Sequence, residues 1–287
     1  MKTNTARTKF LSALVAFVIV AVMNPLHSLA ADKITPEEIV AKHLESIGAS
    51  ETRASIKSRI ASGTVITIRR APGTARFTGQ TIMASEDNKS FIGMNFENSA
   101  YAQEKFAFDG QNVTIGYAIP GDRSNLGDFL LTDKDILKLG LMGGVLSSAW
   151  PLLNLSAQKV KLESGGTKKI DGKPAFEIKY SPRTSSVQIS LFFDQETFRH
   201  VRTEYTQLIS AGIGANINAS GAQRPRRYKM TEDFSDFQKE GGLTLPHTYK
   251  ITLELDTPGG TFAGDWQLTL TQFDFNQPIP PTTFKVQ

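Results

Sequence analysis

The amino-acid sequence predicts a mainly β protein with helical insertions (α+β), built on a single large antiparallel sheet. Three observations carry that expectation. From Arg59 onward the apolar period changes from helical spacing to two. The alternating runs are joined by hairpin signals such as Asp109-Gly110 and Asp171-Gly172. One long apolar stretch, broken by glycines, interrupts them between residues 136 and 155.

The chain opens with a basic segment carrying Lys2, Arg7 and Lys9, then an apolar run from Phe10 to Met23, then Asn24-Pro25 and small residues ending at Ala30-Ala31. That order is the pattern of a cleavable export signal, and the apolar run is shorter than the roughly 20 residues a membrane span needs. Residues 1–30 are therefore expected to be a signal peptide and 31–287 one domain. Without the signal, 29 Lys and Arg stand against 28 Asp and Glu, so the basic pI of 9.1 does not point to nucleic acid. The chain has no cysteine, which excludes disulfides, thiol catalysis, Cys-type zinc sites and acylation of a cysteine after the signal. The expected location is the periplasm, without lipidation and as a monomer.

Thr35, Pro36 and Glu38 form a capping box that starts a helix. Ile39, Val40, Leu44 and Ile47 follow at helical spacing, and Gly48 ends it. A short second helix is expected over 51–57. Strands follow over 59–70, 75–85, 90–97, 103–109 and 111–119. They resume at 158–164 and run, by way of 226–238 and 246–256, to 261–275. About eleven strands in hairpin connection predict an antiparallel meander. Residues 206–223, rich in Gly, Ala, Ser and Asn, read as a long loop.

No catalytic, metal or cofactor motif is present. His43, His200 and His247 have no partner at ligand spacing, and His27 belongs to the signal. Glu232, Asp233 and Asp236 cluster, but alternation sends Glu232 and Asp233 to opposite faces, so the group is read as a solvated rim. Arg224, Arg226 and Arg227 form a basic cluster without interleaved aromatics, read as a loop base or an anionic headgroup contact.

The apolar residues are more informative. A one-layer sheet of this size curls, and its concave face needs a filled core or a cavity. Met83, Met94, Phe96 and Phe106 are the sheet-side candidates for a pocket, with the inward parity left open. Leu137, Leu141, Met142, Leu146 and Trp150 are the candidates in the insertion, which is expected to lie as a glycine-broken helix against the sheet. Gly140, Gly143 and Gly144 are its candidate hinges.

Three segments resemble the periplasmic outer-membrane lipoprotein-sorting family of LolA and LolB: Thr35 to Leu44, Phe234 to His247, and Phe275 to Phe284. The resemblance spans nearly the whole mature chain. It implies an unclosed half-barrel with a helical lid over an apolar cavity that takes acyl chains of lipoproteins or other lipids. It also implies no catalysis, and an inner-membrane donor complex and an outer-membrane acceptor as partners. The family's mechanistic arginine could fall on Arg59, Arg69 or Arg76. The alternative is an envelope lipid sensor of the same fold that signals through a partner protein, with 206–223 as its docking element; a hydrolase comes third.

Overall fold

The computed structural model describes residues 34–157, 160–183, 187–209, 226–257 and 260–286. The expected signal and most of the 206–223 loop lie outside these residues. The first helix, α1 (Pro36–Ile47), is capped as the sequence predicts. The Thr35 hydroxyl accepts from the Glu38 N–H at 3.2 Å, and the Glu38 carboxylate accepts from the Thr35 N–H at 2.8 Å. Gly48 then lets the chain pass close to the sheet, where an added Cβ would sit 2.8 Å from the Gly242 carbonyl oxygen. The second helix, α2, covers Ser50–Ser55.

Twelve strands form one antiparallel sheet that is not closed into a barrel, one more than the approximate count expected from sequence. They are β1 (Ser58–Ala71), β2 (Ala75–Glu86), β3 (Lys89–Phe96), β4 (Gln103–Phe108), β5 (Val113–Ile115), β6 (Val160–Ile170), β7 (Lys173–Pro182), β8 (Gln188–Asp194), β9 (His200–Ile209), β10 (Arg226–Glu240), β11 (Leu243–Thr257) and β12 (Gly260–Phe275). The expected strand over 111–119 shrinks to β5.

The order across the sheet is β5-β4-β3-β2-β1-β12-β11-β10-β9-β8-β7-β6. It is thus two meanders, β1–β5 and β6–β12, sealed at the middle by pairing of β1 with β12. This order dictates the path of the insertion. β5 and β6 are consecutive in sequence but occupy opposite edges, ~50 Å apart along the sheet at ~4.8 Å per strand spacing. The connection must therefore cross a whole face, and it crosses the concave one.

That connection carries α3 (Asn125–Thr132), α4 (Asp135–Lys138) and 3-10 turns at Gly144–Leu146 and Pro151–Ala157. The glycine-broken helix expected over 136–155 is reduced to the short α4 and two 3-10 turns. Gly140, Gly143 and Gly144 all have positive φ (68°, 82° and 50°), which ends helical propagation at each. No helix among the described residues is long and apolar enough to cross a membrane.

The opposite face of the sheet is covered locally by the C-terminal segment. Ile279 and Phe284 pack with Ala84, Ile60 and Phe91. Ile60 of β1 is therefore an outer-face residue, whereas Arg59, Ala61, Val65 and Thr67 are buried on the inner parity.

Candidate functional site

The concave face and the segment lying on it form the candidate site. All nine apolar residues singled out from sequence fall in one contiguous core. Leu137, Leu141, Met142, Leu146 and Trp150 of the crossing segment are buried with Met83 of β2, Met94 and Phe96 of β3 and Phe106 of β4. Sequence alternation could not decide which parity of these strands points inward; the structure places all four sheet residues on the inner one. The space beneath the insertion is occupied by the insertion's own side chains: Leu141 is 0% exposed and Trp150 1%. The segment is thus a plug seated in the groove, flanked by clefts of about 400 Å³ beside the start of α3 and about 490 Å³ beside Ser148–Asn154.

Polar contacts fasten this plug to the sheet and to α1. The Gly143 N–H donates to Glu232 Oε1 at 2.7 Å. The Arg59 guanidinium donates to the Val145 carbonyl oxygen. The Ser148 N–H donates to the Ser85 hydroxyl at 2.8 Å. The Trp150 indole N–H donates to His43 Nε2 at 3.3 Å, while His43 Nδ1 lies 3.1 Å from the Phe198 carbonyl oxygen. Those two contacts together require a neutral His43 with its proton on Nδ1, and burial holds its pKa down at about 4. Trp150 also stacks on His200, with ring centroids 4.8 Å apart, and His200 continues into Phe234 and Tyr249.

Glu232 overturns its sequence reading. It is 0% exposed and not part of a solvated rim. Tyr249 donates its hydroxyl to Oε1 and Tyr205 to Oε2, so with Gly143 three donors converge on one carboxylate. Burial pushes the Glu232 carboxyl up to about 7, against the opposing pull of these donors. Asp233 does point to the other face, where it pairs with Arg202 at 2.5 Å. The sequence signal for Glu232 was its parity. It shares a strand face with Met230 and Phe234, and a charge on an apolar face is the mark of a buried, partnered group.

The same signal singles out Arg59 among the three arginine candidates. It is 3% exposed and shares its parity with Ala61 and Val65, whereas Arg69 is half-buried and Arg76 exposed. No carboxylate lies within ion-pair distance of Arg59 among the described residues, and burial lowers its pKa to about 10. Its partner is a carbonyl of the plug. Of the Arg224, Arg226 and Arg227 cluster, only the Arg227 side chain lies within the described residues, and it is exposed.

Gly140, Gly143 and Gly144 are close-contact positions as well as positive-φ ones. An added Cβ would lie 2.0 Å from the Ala149 carbonyl oxygen, 2.8 Å from Met83 Cε and 2.9 Å from His200 Nδ1, respectively.

No family model and no curated protein matches this chain. Several solved structures are similar in fold. A LolA superfamily protein from Nitrosomonas europaea is 14% identical, with 88% of this chain and 98% of that one covered, at a TM-score of 0.46. A domain provisionally described as an outer membrane lipoprotein-sorting protein, from Vibrio parahaemolyticus, is 13% identical over 85% and 97% of the two chains, at 0.37. A MucA/MucB complex structure from Pseudomonas aeruginosa contributes a chain 10% identical over 83% and 99%, at 0.22. These likenesses are distant, and the functional reading rests on this chain's own geometry.

Proposed function

We propose that the protein is an exported, non-enzymatic carrier in the bacterial envelope that binds acyl chains of lipids or lipoproteins on its concave sheet face and conveys them toward the outer membrane. The observation that carries this reading is the plug. An apolar segment fills a groove lined by methionine and aromatic side chains, and polar contacts at Gly143, Val145, Ser148 and Trp150 fasten it there. The segment is a loop fixed at both sheet edges, so it can lift from the groove without unpairing a strand. Gly140, Gly143 and Gly144 are the positions at which its backbone would turn.

Lifting the plug uncovers apolar surface on both partners. An acyl chain entering the groove recovers about 0.8 kcal/mol for each methylene it buries. Met83 and Met94 suit such a guest because their unbranched side chains adapt to irregular shapes.

A plug-locking experiment tests the reading. The chain has no native cysteine, so Ser85→Cys with Ser148→Cys gives a single thiol pair at the point where the Ser148 N–H meets the Ser85 hydroxyl. Native mass spectrometry of wild-type protein taken from the envelope is expected to show acyl species that exchange with added lipid. The oxidised double variant is expected to take up none, and reduction to restore uptake. Wild-type protein that stays empty, or a locked variant that loads normally, overturns the reading.

A further inference from the structure

Glu232, Tyr205 and Tyr249 pose a question that lipid carriage alone leaves open. They form a polar node among apolar side chains of the concave face, with Thr203 as the cross-strand neighbour of Glu232. Neighbouring residues on that face include Met230, Phe234, Ile251 and Leu253, all buried. While the plug is seated, the node is satisfied by one donor from outside the sheet, the Gly143 N–H at 2.7 Å. When the plug leaves, that donor leaves with it. A buried carboxylate that loses a donor is strongly disfavoured unless another replaces it. Water is the poorest replacement if an acyl chain has dried the groove.

The same event strips Arg59 of its acceptor, the Val145 carbonyl. Gly143 and Val145 are two residues apart, so their Cα atoms are at most ~7 Å apart. The plug therefore presents to the sheet a peptide N–H and, within that distance, a peptide carbonyl, both flanked by apolar side chains. That is the chemical outline of an amide-linked acyl chain.

We propose that the Glu232–Tyr205–Tyr249 node is a ligand-recognition site, taking a hydrogen-bond donor on the cargo, an amide N–H or a hydroxyl beside the acyl chain, in the place the Gly143 N–H holds in the closed state. The proposal rests on the carrier reading and narrows its substrate class. Cargo with a donor next to its chain is selected over cargo that is ester-linked and donor-free. The tyrosines act as positioning residues. Each spends its hydroxyl proton on Glu232, which fixes the carboxylate and leaves Oε1 with one vacant acceptor direction once Gly143 withdraws.

Two probes of nearly equal shape isolate the donor: N-methyldodecanamide and methyl dodecanoate, which differ by N–H against O. Their affinities for the intact mature protein would be measured by calorimetry at pH 8, with cyclodextrin as the delivery agent. The readout is the amide-to-ester affinity ratio, which cancels differences in overall groove stability between variants. It is expected to fall at least tenfold in Glu232→Leu relative to wild type. Glu232→Gln, which keeps the shape and folds if the leucine variant does not, is expected to lower it about threefold by removing the charge from the acceptor. An unchanged ratio in both variants overturns the node's role while leaving carriage intact. Failure of wild type to bind either probe overturns carriage and this proposal together.

Discussion

Two buried carboxylates on the concave face are built alike and used differently. Glu232 of β10 and Glu104 of β4 are 0% and 1% exposed, each accepts from a tyrosine hydroxyl, and burial raises each to about 7. Around Glu104, Tyr101 donates to Oε1, the Trp266 indole N–H of β12 donates to the Tyr101 hydroxyl at 2.7 Å, and Ser124 at the N-cap of α3 also acts on the carboxylate. Around Glu232 two tyrosines come from neighbouring strands, and the third donor is the plug. The Glu104 node meets the crossing connection at its start, beside α3, and the Glu232 node meets it at Gly143, among the buried side chains that fill the groove.

The largest expected effect separates the two nodes by where it is felt. Tyr205→Phe with Tyr249→Phe leaves the Glu232 carboxylate without two of its three donors and loosens its hold on Gly143. Amide exchange at 141–146 is expected to accelerate by roughly 10- to 100-fold, about 1.4 to 3 kcal/mol of local opening. Tyr101→Phe is expected to leave exchange in that segment unchanged. Equal acceleration in both variants would erase the distinction between the two nodes.

The second effect is smaller and global. Tyr101→Phe removes the donor to Glu104 and leaves the Trp266 N–H, itself 2% exposed, without its acceptor. Urea unfolding is expected to show a loss of about 1–3 kcal/mol with an unchanged m-value. A loss below about 0.5 kcal/mol would mean that water serves both groups.

Much of this architecture was legible, and the failures share a cause. Strands show because period-two alternation and turn residues such as Asp171-Gly172 act locally. The capping box at Thr35 and Glu38 shows for the same reason. The insertion's composition predicts burial, and Leu141 and Trp150 are buried. The glycines at 140, 143 and 144 announced breaks in it, but the extent of the breaking was not legible, because their positive φ clears Ala149, Met83 and His200, contacts that sequence does not display. Glu232 was assigned to a rim because Asp233 and Asp236 flank it. The parity with Met230 and Phe234 carried the better information, as it also did for Arg59 beside Ala61 and for Glu104 beside Phe106. Charges on an apolar strand face mark the polar nodes of this groove, and their partners come from strands or loops that no short-range pattern connects.

The smallest expected effect concerns pH, where the two classes of buried group oppose each other. Glu232 and Glu104 have folded pKa values near 7, above their ordinary 4.5, so the folded state holds more protons between those limits. Their contribution is fully present below about pH 4.5 and is lost as pH rises toward 7. His43 is held down to about 4 and His200 well below its ordinary 6.5, so the histidine contribution is present above 6.5 and lost as pH falls. Between pH 4.5 and 6.5 the two slopes have opposite sign. Asp133, raised by burial to about 6, adds a third carboxyl against the two histidines, so wild-type stability is expected to fall as pH rises through this window. Glu232→Gln removes one carboxylate from the balance. Its stability is expected to fall less steeply, diverging from the wild-type slope by up to about 1 kcal/mol per pH unit. Chemical denaturation at pH 4.5, 5.5 and 6.5 reads the difference. A variant slope parallel to that of wild type would mean that Glu232 is ionised throughout, held so by its three donors, and that its grip on Gly143 does not weaken as the solution acidifies.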